Sequence, residues 1–227
     1  LRITMKTKIA WIGTLFSVLV LSPLAAQAIP VSYSFTTDTA RQIGFPGNPD
    51  STLLEGLLAA FSVSGTFHYD SDGPFLVDLG AGILAGSSVY RAMSNLSGSV
   101  GGYSFSDPVG LGIVGDERFN AQNDFLGLHA DGNIQNLVGF DLAGFSLTNV
   151  RLFWIETLVQ SAPDFLEGQS LPGTLPNFGG RLALDFGSGA RVFFENLRVQ
   201  QVPEPGTLAL LVVGLLGISV RRRRYSA

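Results

Sequence analysis

The chain has 227 residues, with 18 acidic and 14 basic side chains and no cysteine. The missing thiols exclude disulfides, thiolate metal sites and cysteine nucleophiles, so the core alone must hold the fold. Over residues 29–205 all 18 acidic residues face seven arginines and no lysine, a net −11 that leaves no basic stripe for a phosphate backbone and excludes nucleic acid as a partner.

At the front, residues 1–4 precede Met5 and Lys6-Thr7-Lys8, which places the expected start of translation at Met5. Residues 9–21 are apolar apart from Gly13, Thr14 and Ser17, and Pro23 is followed by Ala26-Gln27-Ala28. A basic start, a short apolar run and a small-x-small site make residues 1–28 a secretory signal peptide. It engages the general secretion machinery, and signal peptidase, reading Ala26 and Ala28, cleaves after Ala28. As a helix the run of about 13 residues reaches only ~20 Å, short of the ~30 Å hydrocarbon core, which weighs against a permanent anchor.

Residues 29–201 read as one domain, without internal repeats or a low-complexity linker before Gln200. Residues 51–60 place Leu53, Leu54, Leu57 and Leu58 at i, i+1, i+4 and i+5, which fits one short helix or a strand. Phe61, Val63, Gly65, Phe67 and Tyr69 alternate with Ser62, Ser64, Thr66 and His68, the pattern of a strand with one buried and one wet face. Residues 96–100 and 103–106 flank Gly101-Gly102, a two-residue hairpin turn. Residues 145–155 form a further strand with Asn149 at a bulge. Leu182, Leu184 and Phe186 then lead through Gly187-Ser188-Gly189 into a partner strand over 191–199. Many short strands at this spacing predict an all-β fold, an antiparallel β-sandwich with the jelly roll as one form of it.

Within this body the residues able to do chemistry are few. His68 falls on the wet face of its strand. His129-Ala130-Asp131 could supply a base with its orienting carboxylate, but no Gly-x-Ser-x-Gly elbow follows a strand, so a serine hydrolase is not expected. Asp70-Ser71-Asp72-Gly73 opens like a calcium loop, with Asp70 and Asp72 as the oxygen ligands. The third acid and the closing glutamate are missing, and Asp-Gly is also an ordinary hairpin signal. No other cofactor is expected. A glycosidase needs two facing carboxylates, and Glu156 and Glu195 stand in the most apolar surroundings. Phe153, Trp154, Phe193 and Phe194 could stack on a sugar or fill the core. Leu171-Pro172-Gly173-Thr174-Leu175 resembles a sortase signal, but the last position is leucine and no apolar helix follows, so it reads as a turn-rich loop.

The tail runs Val202-Pro203-Glu204-Pro205-Gly206, an apolar stretch over 207–220, then Arg221, Arg222, Arg223 and Arg224 before Tyr225-Ser226-Ala227. An extended Pro-x-Pro stem that cannot join a helix is followed by a short apolar helix and a basic cluster that stays cytoplasmic. Residues 202–227 resemble the PEP-CTERM sorting signal of Gram-negative bacteria. The resemblance implies that exosortase, a membrane-embedded transpeptidase-like enzyme, recognises Val202, Pro203, Glu204 and Pro205. It also implies transient anchoring in the inner membrane, a destination at the cell surface or outside it, and association with exopolysaccharide and biofilm. A helix over 207–220 is short for a durable transmembrane span and suits a segment held briefly and then removed, the alternative being an uncut tail anchor. Residues 63–70 and 184–197 also resemble the bodies of other proteins with this tail. The expectation is an exported, non-enzymatic structural or polysaccharide-associated protein, with a carbohydrate-active enzyme using paired carboxylates and a cell-surface adhesin as the competing readings.

Overall fold

A computed structural model of the protein describes residues 30–40, 48–79, 86–117, 123–130, 137–155, 166, 170–177 and 179–203. In chain order these form β1 (Val31–Thr39), α1 (Pro49–Leu58), β2 (Ser62–Tyr69), β3 (Phe75–Asp78), β4 (Ser88–Val100), β5 (Tyr103–Glu117), β6 (Asn123–Ala130), β7 (Asp141–Leu142), β8 (Phe145–Ile155), β9 (Gly180–Phe186) and β10 (Arg191–Gln201). Period-two alternation sets the strands, as in β8, where Leu147, Val150, Leu152 and Trp154 are buried and the residues between them are not. The shift from Leu147 to Val150 is the bulge expected at Asn149, where the register against β9 slips.

The prediction of a sandwich is corrected: the sheet closes on itself as an antiparallel barrel of eight strands. Successive strands pair around the ring, from β4 through β5, β6, β8 and β9 to β10, and β1 joins β10 to β2. The ring shuts where Val63 to Tyr69 of β2 pair with Val100 to Met93 of β4. β4 is long enough to serve two partners, its first residues taking the short edge strand β3 and its remainder taking β2. Sandwich and barrel demand the same alternation, so alternation could not separate them. The difference lies in two pairings, β1 with β10 across most of the chain and β2 with β4 across the β3 excursion, which no local pattern encodes.

Eight strands enclose a space that side chains can just fill. Tyr33, Phe35, Phe67 and Tyr69 meet inside, with Tyr33 stacked on Phe67 at 5.7 Å and Phe35 tilted against it at 6.1 Å. Inward glycines make room for them. A Cβ on Gly65 would stand 2.5 Å from the Phe35 ring, and one on Gly180 would stand 2.6 Å from Nε1 of Trp154. α1 packs against β10 at one end. Asn48 caps its first turn by accepting from Asp50 N, Pro49 occupies the first helical position, and Leu54 and Leu58 are buried. Of the two readings for residues 51–60, the helix is the one observed, and Ser51 Oγ accepts from Arg191 N at 3.0 Å to tie it to β10. The opposite end is stoppered by Leu166, Leu171 and Leu175, while the Tyr69 hydroxyl donates to the Pro172 carbonyl at 2.6 Å. Burial pushes the Tyr69 phenol above its ordinary value, which keeps it a donor. The sortase-like segment is therefore a loop, as read, and its two leucines are part of the core.

The outside of the barrel has two unlike faces. On β2, β4 and β5 an uncharged groove of about 500 Å³ is lined by Ser64, Thr66, Ser97, Ser99, Ser104 and Ser106. Cross-strand register puts these hydroxyls in rows, with Ser64 opposite Ser99 and Ser99 opposite Ser104. On β6, β8, β9 and β10 the outward positions carry aromatic and charged side chains instead.

Candidate functional site

The charged face is built row by row from the register. Asn149 pairs with Asp185, which pairs with Arg191, and the next row runs Leu111, His129, Arg151, Ala183, Phe193. Because outward side chains on neighbouring strands stand side by side, these residues meet. Arg151 Nη2 donates to Asp185 Oδ1 at 2.6 Å and lies 2.5 Å from Oδ2, while Arg191 Nε donates to Oδ1. Two guanidiniums thus share one carboxylate. The Arg191 guanidinium lies 5.8 Å from the centre of the Phe193 ring, and Phe153 meets Phe193 edge-on at 6.2 Å.

Beside this cluster opens a cleft of about 540 Å³, walled by Leu111, His129, Asn149, Asp185 and Arg191 and by the β9–β10 hairpin. Gly187 and Gly189 line its mouth, and the positive φ of Gly189, 77°, lets the hairpin turn without a side chain there. Burial, reinforced by the Arg151 guanidinium, pushes the His129 imidazole down to about 3, so it is neutral at physiological pH. Two polar atoms in this region, Asn149 Oδ1 and Arg151 Nε, are buried without a hydrogen-bond partner.

The residues singled out in the sequence fall in different places. Trp154 and Phe194 point into the barrel and are fully buried, whereas Phe153 and Phe193 stand on the outer wall, so the four cannot form one sugar-stacking platform. His68 is outward as expected, with Asn95 Nδ2 donating to its Nδ1 at 3.1 Å. The carboxylate of Glu195 lies 3.6 Å from the Arg181 guanidinium, and its proposed companion Glu156 lies outside the described residues, as does Asp131 beside His129. Asp70 Oδ1 accepts from Asp72 N at 3.0 Å and the Asp70 carbonyl accepts from Gly73 N, a turn closed by its own backbone. Among the described residues no three His, Asp or Glu side chains gather to hold a metal ion.

Arg151, Asp185, Arg191 and Asn149 were not anticipated as a group. The signal was present in part, since each is a polar residue at an outward position of a predicted strand. Only the pairing of β8 with β9 and β9 with β10 brings them together.

At the other end of β10 the ladder carries on one residue into the tail. Val202 N donates to the Ser32 carbonyl at 2.8 Å, and Pro203, which has no N–H, ends the pairing. Val202 and Pro203 are exposed. Glu204, Pro205, the apolar stretch, the four arginines and the signal-peptide residues Ala26 and Ala28 lie outside the described residues. Among the described residues no helix is long and apolar enough to cross a membrane.

A family model of the PEP-CTERM protein-sorting motif matches residues 201–224. No curated protein and no solved structure matches the chain. The match starts at the last residue of β10, so the chain carries a PEP-CTERM sorting motif directly on the last strand of its barrel, which implies exosortase as processing partner, export, and transit in a membrane-anchored state.

Proposed function

We propose that the protein is a non-enzymatic component of the extracellular polymer layer, delivered by exosortase to the cell surface or beyond it, where the barrel associates with exopolysaccharide. The observation that carries this reading is the sorting motif joined without a linker to β10. That strand is 11 residues long, roughly 35 Å of extended chain. The barrel end bearing Gln201 and the leucine stopper then faces the membrane during transit, and the β9–β10 hairpin with its cleft faces away from it.

Both outer surfaces suit a polymer rich in hydroxyls. The groove on β2, β4 and β5 offers serine and threonine hydroxyls without charge, and the cleft offers a neutral imidazole, an amide and guanidinium groups. Among the described residues lining the cleft Asp185 is the carboxylate, and it pairs with two arginines.

Delivery is tested by intact mass and fractionation of the protein made in cells with and without exosortase. The expected result is a surface or extracellular form that begins at Ile29 and lacks Arg221 to Arg224, present only in exosortase-containing cells. A surface form that keeps Tyr225-Ser226-Ala227, at the same level in both strains, would contradict it.

A further inference from the structure

We propose that the apolar edge strand β3 rests on the bilayer surface while the protein is anchored, so that Phe75, Leu76 and Val77 enter the lipid interface and hold the sorting motif beside the membrane. This contact belongs to the membrane-anchored transit that the motif implies and does not depend on association with a polymer.

The register fixes where β3 stands. One edge of β4 pairs with β5, and the other takes β2 from Val100 to Met93 and then β3 from Tyr90 to Ser88. β3 therefore continues the line of β2 past Tyr69, the residue that faces Val31 at the start of β1. Among the described residues no strand covers its outer edge. It extends from the same end of the barrel at which Val202 leaves the ladder, and the line of β2 lies two strands from β10, roughly 10 Å.

Chain length names the occupant. Four residues, 203–206, join Val202 to the apolar stretch over 207–220, and fully extended they span about 14 Å. A stretch seated in the membrane thus keeps this end of the barrel at the bilayer, and lipid is the apolar phase that β3 meets at the highest local concentration.

The side chains suit that phase. Phe75, Leu76 and Val77 are 53%, 44% and 51% exposed, and because successive residues of a strand point to opposite sides, β3 is apolar on both faces. An edge strand in water is ordinarily protected by charged side chains or proline. Phe75 meets Tyr90 edge-on at 5.7 Å, an aromatic pair of the kind that collects at the boundary of water and lipid. Gly86 N donates to the Leu79 carbonyl to close the β3–β4 connection, and the six residues between them, Gly, Ala, Gly, Ile, Leu and Ala, add no charge. The acids nearest in the chain are Asp70, Asp72 and Asp78, so the attraction is apolar and not electrostatic. Because the open edge of β3 carries backbone groups that must keep their water, the contact is shallow, at the level of the headgroups.

The chain has no cysteine, so one introduced thiol labels one site. Full-length protein carrying Leu76→Cys, or Ser188→Cys in the exposed β9–β10 hairpin at the far end, is labelled with an environment-sensitive fluorophore, reconstituted in phosphatidylcholine vesicles and recovered by flotation, with no exosortase present. The label at position 76 is expected to be quenched by lipids brominated on their acyl chains, and to be at least about threefold less open to aqueous iodide than the label at position 188, the difference between an interfacial and a solvated site. Raised salt should leave both unchanged, since no ion pair holds the contact. Adding Phe75→Ser and Val77→Ser to the Leu76→Cys protein should raise iodide quenching to the level at position 188. Equal iodide quenching at the two positions overturns the inference, and so does quenching of both by brominated lipid, the result for a barrel with no fixed face to the membrane. Protection at position 76 without lipid quenching, growing with protein density in the vesicle, overturns it in favour of a second copy on the open edge. Protection that survives the two serine substitutions overturns it as well, because the label and not β3 would then be seeking the lipid.

Discussion

Replacing Gly65 by alanine is expected to lower the stability of the barrel by more than about 3 kcal/mol, a fall of roughly 10 °C in melting temperature for a domain of this size. Its Cβ would stand 2.1 Å from the backbone oxygen of Ser97 and 2.5 Å from the Phe35 ring. A ring can turn aside, but a backbone oxygen in a ladder cannot. Gly65 pairs with Gly98 on β4, in the seam that shuts the ring, so relief of the clash requires the seam to part and exposes Val63 and Phe67 beside it. Gly56→Ala on α1 is the matched control. Its Cβ would meet nothing within 4 Å, and an exposed helical glycine replaced by alanine should gain roughly 0.5–1 kcal/mol. An unaltered melting temperature for Gly65→Ala would mean that β2 and β4 are not paired in this register.

The second large effect concerns Trp154. Its side chain is 0% exposed on the inner face of β8, with Gly180 against the indole. Trp154→Ala should cost about 3–5 kcal/mol in denaturant unfolding, the range for emptying an aromatic site in a close-packed core. Phe153→Ala, one residue away and on the outer wall, should cost clearly less. The two tryptophans of the sequence are Trp11 and Trp154, so once the signal peptide is removed the fluorescence of the chain reports this site alone. A Trp154→Ala variant that unfolds at the native denaturant concentration but loses polymer binding would identify Trp154 as a stacking residue and contradict its place in the core.

Which parts of the molecule could be read from the chain follows from the range of the forces that fix them. The hairpin at Gly101-Gly102 is a local matter of φ, and the structure has 55° and 91° there, with Val100 opposite Tyr103 as expected. The hairpin through Gly187 to Gly189 and the bulge near Asn149 are local in the same way. β1 was not anticipated, although Tyr33, Phe35 and Thr37 alternate inward, because its place between β10 and β2 depends on partners at both ends of the chain. The length of β4 and β5 was underestimated, since the inward Gly112 of β5, which admits Leu171, interrupts the apolar pattern there, and a register shift between Tyr90 and Met93 breaks the alternation in the first half of β4. The sorting motif was legible because its information is linear. The cleft was not, because its members come from five strands and alternation says that Asp185 faces outward without saying what stands next to it.

The central claim is that the barrel holds extracellular polymer without cutting it. Co-sedimentation of the purified protein with the exopolysaccharide of its own host, with polymer length followed over time, tests this most directly. The account predicts that the protein sediments with the polymer and that chain length stays constant. Shortening of the polymer would make the protein an enzyme, and a protein left wholly in the supernatant would contradict the proposed association.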